Sequence, residues 1–199
     1  MSTINTTNTR KAVIERKTKE TDIKLELNID GSGKFEGESG VSFFDHMLNS
    51  FCVHSRMDIK LACKGDLSVD CHHTVEDVGI VLGSALYKAL GDKIGIERFG
   101  SSYVPMDEAL GFAALDVSGR PFIKTEAGFK NEKIGDMDSQ MIAEFFRAIA
   151  FNAMMTLHTK VDGVNDHHKA EALFKAFGRA LCDAVKITSE DLLSAKGVL

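Results

Sequence analysis

The sequence predicts one internally duplicated fold in which strands and helices alternate in the same order twice, and three observations carry that expectation. Apolar residues alternate with polar ones at Ile23, Leu25, Leu27 and Ile29, the period of half-buried strands. In "GVSFFDHMLNSFCVHS" the spacing changes, and Phe44, Met47, Leu48 and Phe51 form a helical stripe. Finally, one pattern recurs. His72-His73-x-x-Glu76, followed by Gly83-x-Ala85-Leu86 and Ala89, returns as His167-His168-x-x-Glu171, Gly178-x-Ala180-Leu181 and Ala184, with every offset kept and 95 residues between copies.

Taken in order, "MSTINTTNTR" reads as a mobile polar arm. The stretch "KAVIERKTKETDIKLELNIDGSG" reads as strands closed by a Gly-rich turn, and "GVSFFDHMLNSFCVHS" as a helix. "MDIKLACKGDLSVD" returns to short strands around a Gly65-Asp66 turn. "HHTVEDVGIVLGSALYKALG" is a long helix with Gly91 as its stop. The second half repeats this programme. Strands with turns at Gly111 and Ser118-Gly119 fill "YVPMDEALGFAALDVSGRPFIKTEA", and a helix opening on an Asp or Ser cap fills "DSQMIAEFFRAIAFNAMM". "TLHTKVDG" is strand-like, and "DHHKAEALFKAFGRALCDAVK" is a second long helix. The expected units are residues 1–95, the first repeat with its arm, and residues 96–199, the second repeat with a C-terminal tail. Aligning "FFDHMLNSF" with "IAEFFRAIAF" sets His46 opposite Glu144.

Composition excludes several classes. A net charge of -5 with dispersed lysines and arginines argues against a nucleic-acid partner. No apolar run reaches the length a membrane span needs, and no secretory h-region is visible, so a cytoplasmic location is expected. Four cysteines without CxxC pairing read as reduced thiols.

On a helix, residues four apart share a face, so His72 joins Glu76 and His167 joins Glu171. Adjacent residues point about 100° apart, so His72 and His73 serve different ions, one on each side of the helix. His72, His73, Glu76, His167, His168 and Glu171, with His46 and Glu144, supply two metal sites of about four protein ligands each. Imidazole and carboxylate without thiolate suit manganese, iron or zinc. A single HHxxE is as readily an exposed first helical turn as a ligand set; two copies in register favour ligands. Cys71 has no counterpart in the second copy, where Asp166 stands. His54 borders the site in this reading, and His158 is a satisfied, partly buried histidine.

At this point the chain resembles the imidazoleglycerol-phosphate dehydratase family over nearly its whole length. "RKTKET" (16–21), "FFDHML" (43–48), "DCHHTVEDV" (70–78), "GIERFG" (95–100), "PMDEAL" (105–110), "SGRP" (118–121), "NDHHKAEALFKAFGRAL" (165–181) and "AKGVL" (195–199) carry the likeness in the family's order. The resemblance implies a duplicated α+β fold, each half a four-stranded sheet backed by two helices. It also implies two Mn2+ per active site and a homo-oligomer of 24 subunits with shared sites. Many members carry "EHFF" where this chain has Ala143-Glu144, so Glu144 departs from the family pattern while keeping a hard oxygen donor.

The implied reaction is the dehydration of D-erythro-imidazoleglycerol phosphate to imidazole acetol phosphate in histidine biosynthesis. The departing proton sits on a carbon that no carbonyl acidifies. Metal ions on the ring nitrogens would favour the imidazolate, which expels the hydroxyl to give a diazafulvene-like intermediate. By resemblance, Glu20 in "KET" is the general base. Arg98, Arg120, Lys175, Ser194 and Lys196 are candidates for the small-molecule substrate's phosphate, with "SGRP" and "AKGVL" weighted by the family match. Asp107 and Glu108 are either proton-handling or structural. The rival readings are a non-catalytic metal-binding module and a dinuclear metal hydrolase.

Overall fold

The computed structural model describes residues 10–199, so nearly all of the expected polar arm lies outside the described residues. Arg10, its last residue, is already tied down by hydrogen bonds to Asp30 and to the Val185 carbonyl.

The first half runs β1 (Lys11–Lys17), β2 (Thr21–Asn28), β3 (Phe35–Glu38), α1 (Ser42–Ser55), β4 (Asp58–Gly65) and α2 (His72–Leu90). The second runs β5 (Phe99–Met106), β6 (Ala109–Asp116), β7 (Phe122–Ala127), a small hairpin β8 (Lys133–Ile134) and β9 (Met137–Asp138), α3 (Met141–Asn152), β10 (Thr156–Asp162) and α4 (Asp166–Ala184). The sheets have the orders β1-β2-β4-β3 and β5-β6-β10-β7, the same path traced twice. The α+β class, the duplication and the four-stranded sheets with their helices are therefore as expected.

The strands form because β2 alternates Ile23, Leu25 and Leu27 inward against exposed Asp22, Lys24 and Glu26. The helices form because their apolar residues recur at helical spacing. In α3 these are Met141, Ile142, Phe145, Phe146 and Ile149, all fully buried. Helix α2 packs on β1 and β2, and α4 on β5 and β6. Yet α1 lies against α4 and α3 against α2, so the two halves share one continuous core. Two glycines at matching positions allow this closeness. A Cβ on Gly83 would stand 2.8 Å from the Ile149 carbonyl oxygen, and one on Gly178 would stand 3.0 Å from that of Phe51.

Several expectations need correction. The turn between β5 and β6 falls at Asp107-Glu108, not at Gly111. Gly111 lies inside β6, where a side chain would come within 2.5 Å of the Ala172 backbone. The run after Gly65 makes no second strand. Helix α3 begins at Met141 behind Gln140, which makes no side-chain cap, since Asp138 and Ser139 are engaged in and just after β9.

The segment 130–139, an insertion in the second half, gathers the helix starts at one end of the molecule. Asp136 accepts hydrogen bonds from the backbone N–H groups of Ser42 and Phe43 at the start of α1, at 2.7 and 2.8 Å. Asp138 meets the Cys71 thiol just before α2 at 3.7 Å. Asp166, first in α4, accepts from the N–H groups of Lys130 and Asn131, both at 2.8 Å. The segment then leads into α3 itself.

Candidate metal centre and active site

Every residue expected to bind metal lies in the first two turns of a helix, where the positive end of the dipole favours Glu76, Glu144 and Glu171 as carboxylates. The two histidine pairs open their helices in the same way. Asp70 Oδ1 accepts the His72 N–H at 2.7 Å, and Asn165 Oδ1 accepts the His167 N–H at 2.9 Å.

One cluster joins α1 to α4. His46 Nε2 and His167 Nε2 each stand 3.0 Å from Glu171 Oε1. These three ligand atoms lie within 4.8 Å of one another. Lys175 Nζ reaches Glu171 Oε2 at 2.5 Å. Burial pushes the Glu171 carboxyl up, but hydrogen bonds from Lys175, His46 and His167 outweigh it and hold the group at about 2. A pre-formed pair of imidazoles and an ionised carboxylate fits a dication such as Mn2+.

The other cluster joins α2 to α3. His72 Nε2 lies 3.8 Å from Glu76 Oε2. Arg147 bridges the carboxylates, with 2.6 Å to Glu76 and 2.7 Å to Glu144. Hydrogen bonding to Glu144 is the main reason its guanidinium is held still more firmly protonated.

His73 and His168 turn away from both clusters. His73 Nδ1 sits 3.0 Å from Asp66, and its Nε2 is 3.8 Å from Glu20. His168 Nδ1 sits 2.8 Å from Glu108, and its Nε2 is 3.8 Å from Asp107. Donating to the Asp66 carboxylate raises the His73 pKa, and donating to the Glu108 carboxylate raises that of His168. Glu108 is itself held at about 2 by His168 and the Asn165 N–H. Adjacent histidines therefore have different partners, on helix faces about 100° apart.

The phosphate candidates divide. Arg98 makes a two-pronged contact with Asp116 at 2.7 and 3.1 Å and donates to the Leu193 carbonyl at 2.7 Å. Arg120 reaches the same Asp116 at 3.4 Å. Ser194 stands next to Leu193, takes the Lys196 N–H at 3.3 Å and donates to the Val198 carbonyl at 2.7 Å, so the chain's own Arg98 holds this tail. Lys175 is elsewhere, on the Glu171 cluster. The Arg98 N–H also bonds to the Ala184 carbonyl, at the far end of α4 from His167. About 25 Å of helix separates the two sets.

Two histidines lie apart. His54 is at the C-terminal end of α1 beside Arg179 and Lys186, and His158 is exposed on β10 against Phe122, not partly buried. All four cysteines are free. Sequence reasoning missed Asp66 and Arg147; the i,i+3 spacing of Glu144 and Arg147 could have marked that pair, whereas no helical spacing marks the contacts of Arg147 with Glu76 or of Asp66 with His73.

A family model described as imidazoleglycerol-phosphate dehydratase matches residues 39–181. This chain belongs to that family. The dehydratase is 57% identical over 193 residues to the imidazoleglycerol-phosphate dehydratase of Acetivibrio thermocellus, covering 96% of this chain and 99% of the relative. It is 53% identical to that of Caldicellulosiruptor saccharolyticus, covering 96% and 100%. Among solved structures, the Staphylococcus aureus enzyme superposes with a TM-score of 0.81 at 37% identity, over 89% of this chain and 99% of that one. The Pyrococcus furiosus enzyme gives the same score and identity over 94% and 100%. The dehydratase is accordingly a hydro-lyase of histidine biosynthesis that acts on a small molecule. Among the described residues, no helix is long and apolar enough to cross a membrane.

Proposed function

We propose that this dehydratase converts D-erythro-imidazoleglycerol phosphate to imidazole acetol phosphate with two Mn2+ per active site. The observation that carries the metal reading is the closed set His46, His167 and Glu171, whose donors already converge. In this proposal His72, Glu76 and Glu144 form the matching set on α2 and α3, and His73 and His168 each serve an ion on the other side of their helices. Bound dications would favour the deprotonated form of the substrate's imidazole ring. Departure of the hydroxyl next to the ring, with a proton as water, would leave a diazafulvene-like species; Glu20 then takes the proton from the neighbouring carbon, and the resulting enol becomes the ketone. Asp66 orients His73 by its Nδ1 contact, leaving Nε2 on the Glu20 side.

Arg98, Arg120, Ser194 and Lys196 bind the phosphate, whereas Lys175 balances Glu171 and contributes only if the substrate reaches that cluster. The helix length between the phosphate set and the histidines far exceeds a three-carbon phosphate ester bearing one five-membered ring. One site using both sets must draw them from different chains. That supports a homo-oligomer with shared sites, for which we propose 24 subunits, in the cytoplasm and with no nucleic-acid partner. The repeat units are proposed as residues 1–95 and 96–199.

Purified protein with added Mn2+ tests the reading. A new ketone with phosphate retained is expected. Free phosphate instead would mean a hydrolase, and metal uptake without turnover would mean a binding module.

A further inference from the structure

Asp77 is an acidic side chain only 6% exposed, and it takes no part in the sites above. It accepts from Arg16 Nε at 3.1 Å, from Arg16 Nη2 at 3.0 Å and from Thr21 Oγ1 at 2.5 Å. A carboxylate this deep is costly unless its oxygens are satisfied, and here the partners come from the two strands flanking the Lys19-Glu20 turn. Asp77 follows His73 by four residues, so one face of α2 presents His73 to Glu20 and Asp77 to the next residue, Thr21. The turn is fixed as well, because Thr18 Oγ1 accepts the N–H groups of Glu20 at 3.0 Å and Thr21 at 2.9 Å.

The second half is an internal control. Aligning the hairpin registers sets Glu20 opposite Glu108, Arg16 opposite Val104 and Thr21 opposite Ala109, and the helix repeat sets Asp77 opposite Ala172. At these positions the second hairpin offers its helix no ion pair; Met106 Sδ on β5 takes Lys175 Nζ of α4 at 3.1 Å, and the hairpin's glutamate becomes the tether. Glu108 accepts from the N–H groups of Val164 and Asn165, at 3.1 and 2.7 Å, and contacts His168 at 2.8 Å. Among the described residues, the Glu20 carboxylate makes no hydrogen bond; its nearest ionic neighbour is His73 at 3.8 Å. Where the buried network anchors the hairpin, the glutamate is left free.

We propose that Asp77, with Arg16 and Thr21, is a positioning residue that clamps the β1–β2 hairpin to α2 so that the Glu20 carboxylate, unused in the fold, is aimed at the substrate. This rests on Glu20 being the base. The network, absent from the second half, is what distinguishes a catalytic glutamate from its structural copy.

The test uses the assembled, manganese-loaded enzyme. The triple variant R16V/T21A/D77A installs the residues with which the second half already folds. Its kcat should fall about ten- to a hundredfold, as misplacement of a reacting group by about 1 Å does. KM for imidazoleglycerol phosphate and manganese stoichiometry should stay unchanged. Thr21→Val alone, which spares the Arg16–Asp77 pair, should lower kcat less, and Thr21→Ser should restore it. Wild-type kcat in the triple variant overturns the proposal. So does a parallel loss of metal or a rise in KM, which would show a merely structural network. If the triple variant does not assemble, the valine and serine pair decides alone by the same split. Glu20→Gln, run beside them, separates the two readings. Near-normal turnover there removes Glu20 as the base, whereas an inactive Glu20→Gln with a fully active triple variant removes only the clamp.

Discussion

His46, His167 and Glu171 close on one another with no side chain between them, whereas Glu76 and Glu144, at the matching positions of the other cluster, are held by an intervening guanidinium. The two clusters stand at the same places in the repeat and differ at one donor, an imidazole at 46 and a carboxylate at 144. A second carboxylate beside Glu76 adds like-charge repulsion that helix dipoles offset only in part. Arg147 supplies the missing charge from the helix face that carries Glu144, three residues on. The duplication has therefore kept backbone positions while letting charge balance be solved locally. The same holds for buried ions. Asp166 and Lys169 form a pair 2.8 Å apart, 3% and 2% exposed, where the first half has Cys71 and Thr74.

The largest effect should come from the closed cluster. Glu171→Ala should cut turnover by more than the roughly 10- to 100-fold typical of outer-shell changes and remove a bound Mn2+, read by metal analysis beside activity. Full metal content in that variant would break the comparison by showing that Glu171 is not a ligand.

Next in size, Asp166→Ala strands the buried Lys169 ammonium and should destabilise the chain by about 3–5 kcal/mol in denaturant. Cys71→Ala, at the matching position, should cost about 1 kcal/mol. The pair also sets a pH dependence. Burial would raise the Asp166 carboxyl, but Lys169 and the Asn131 and Lys130 N–H groups hold it at about 2, below its ordinary 3.8. Its contribution is complete above 3.8 and is lost as pH falls toward 2, so acid should destabilise the wild type over that window and the alanine variant less.

Arg147→Ala sharpens the contrast between clusters. With the guanidinium gone, Mn2+ should bind the α2–α3 cluster about tenfold more tightly by calorimetry, an interaction of about 1.4 kcal/mol. Weaker binding would mean that Arg147 orders the ligands and does not compete with the ion. Smallest of all, Asn165→Ala should cost about 1 kcal/mol by removing the acceptor that caps α4.

Much of this was legible from residues. The HHxxE pair announced both the duplication and the ligand-bearing helix starts, because helical periodicity forces residues four apart onto one face. The alternation in β2 announced a half-buried strand. Less legible was the insertion at 130–139, whose Asp136, Asp138 and Asn131 tie three helix starts together, because those bonds join residues far apart in the chain. The equivalence of Glu20 and Glu108 was hidden for a different reason. Hairpin register, not residue likeness, aligns "KET" with "DEA".

By itself, then, the sequence determined the four helices, the duplication, the family and the residue types of the candidate sites, all of which follow from local periodicity and spaced motifs. Tertiary structure alone decided which donors meet. It closed His46 onto α4 and Glu76 onto Arg147, sent His73 and His168 to separate carboxylates, and put the phosphate candidates other than Lys175 at the far end of α4. Among the described residues, it also left the Glu20 carboxylate without a hydrogen bond while engaging Glu108. Contacts between helices depend on how two faces pack, through glycines such as Gly83 and Gly178, and no spacing within one segment encodes that.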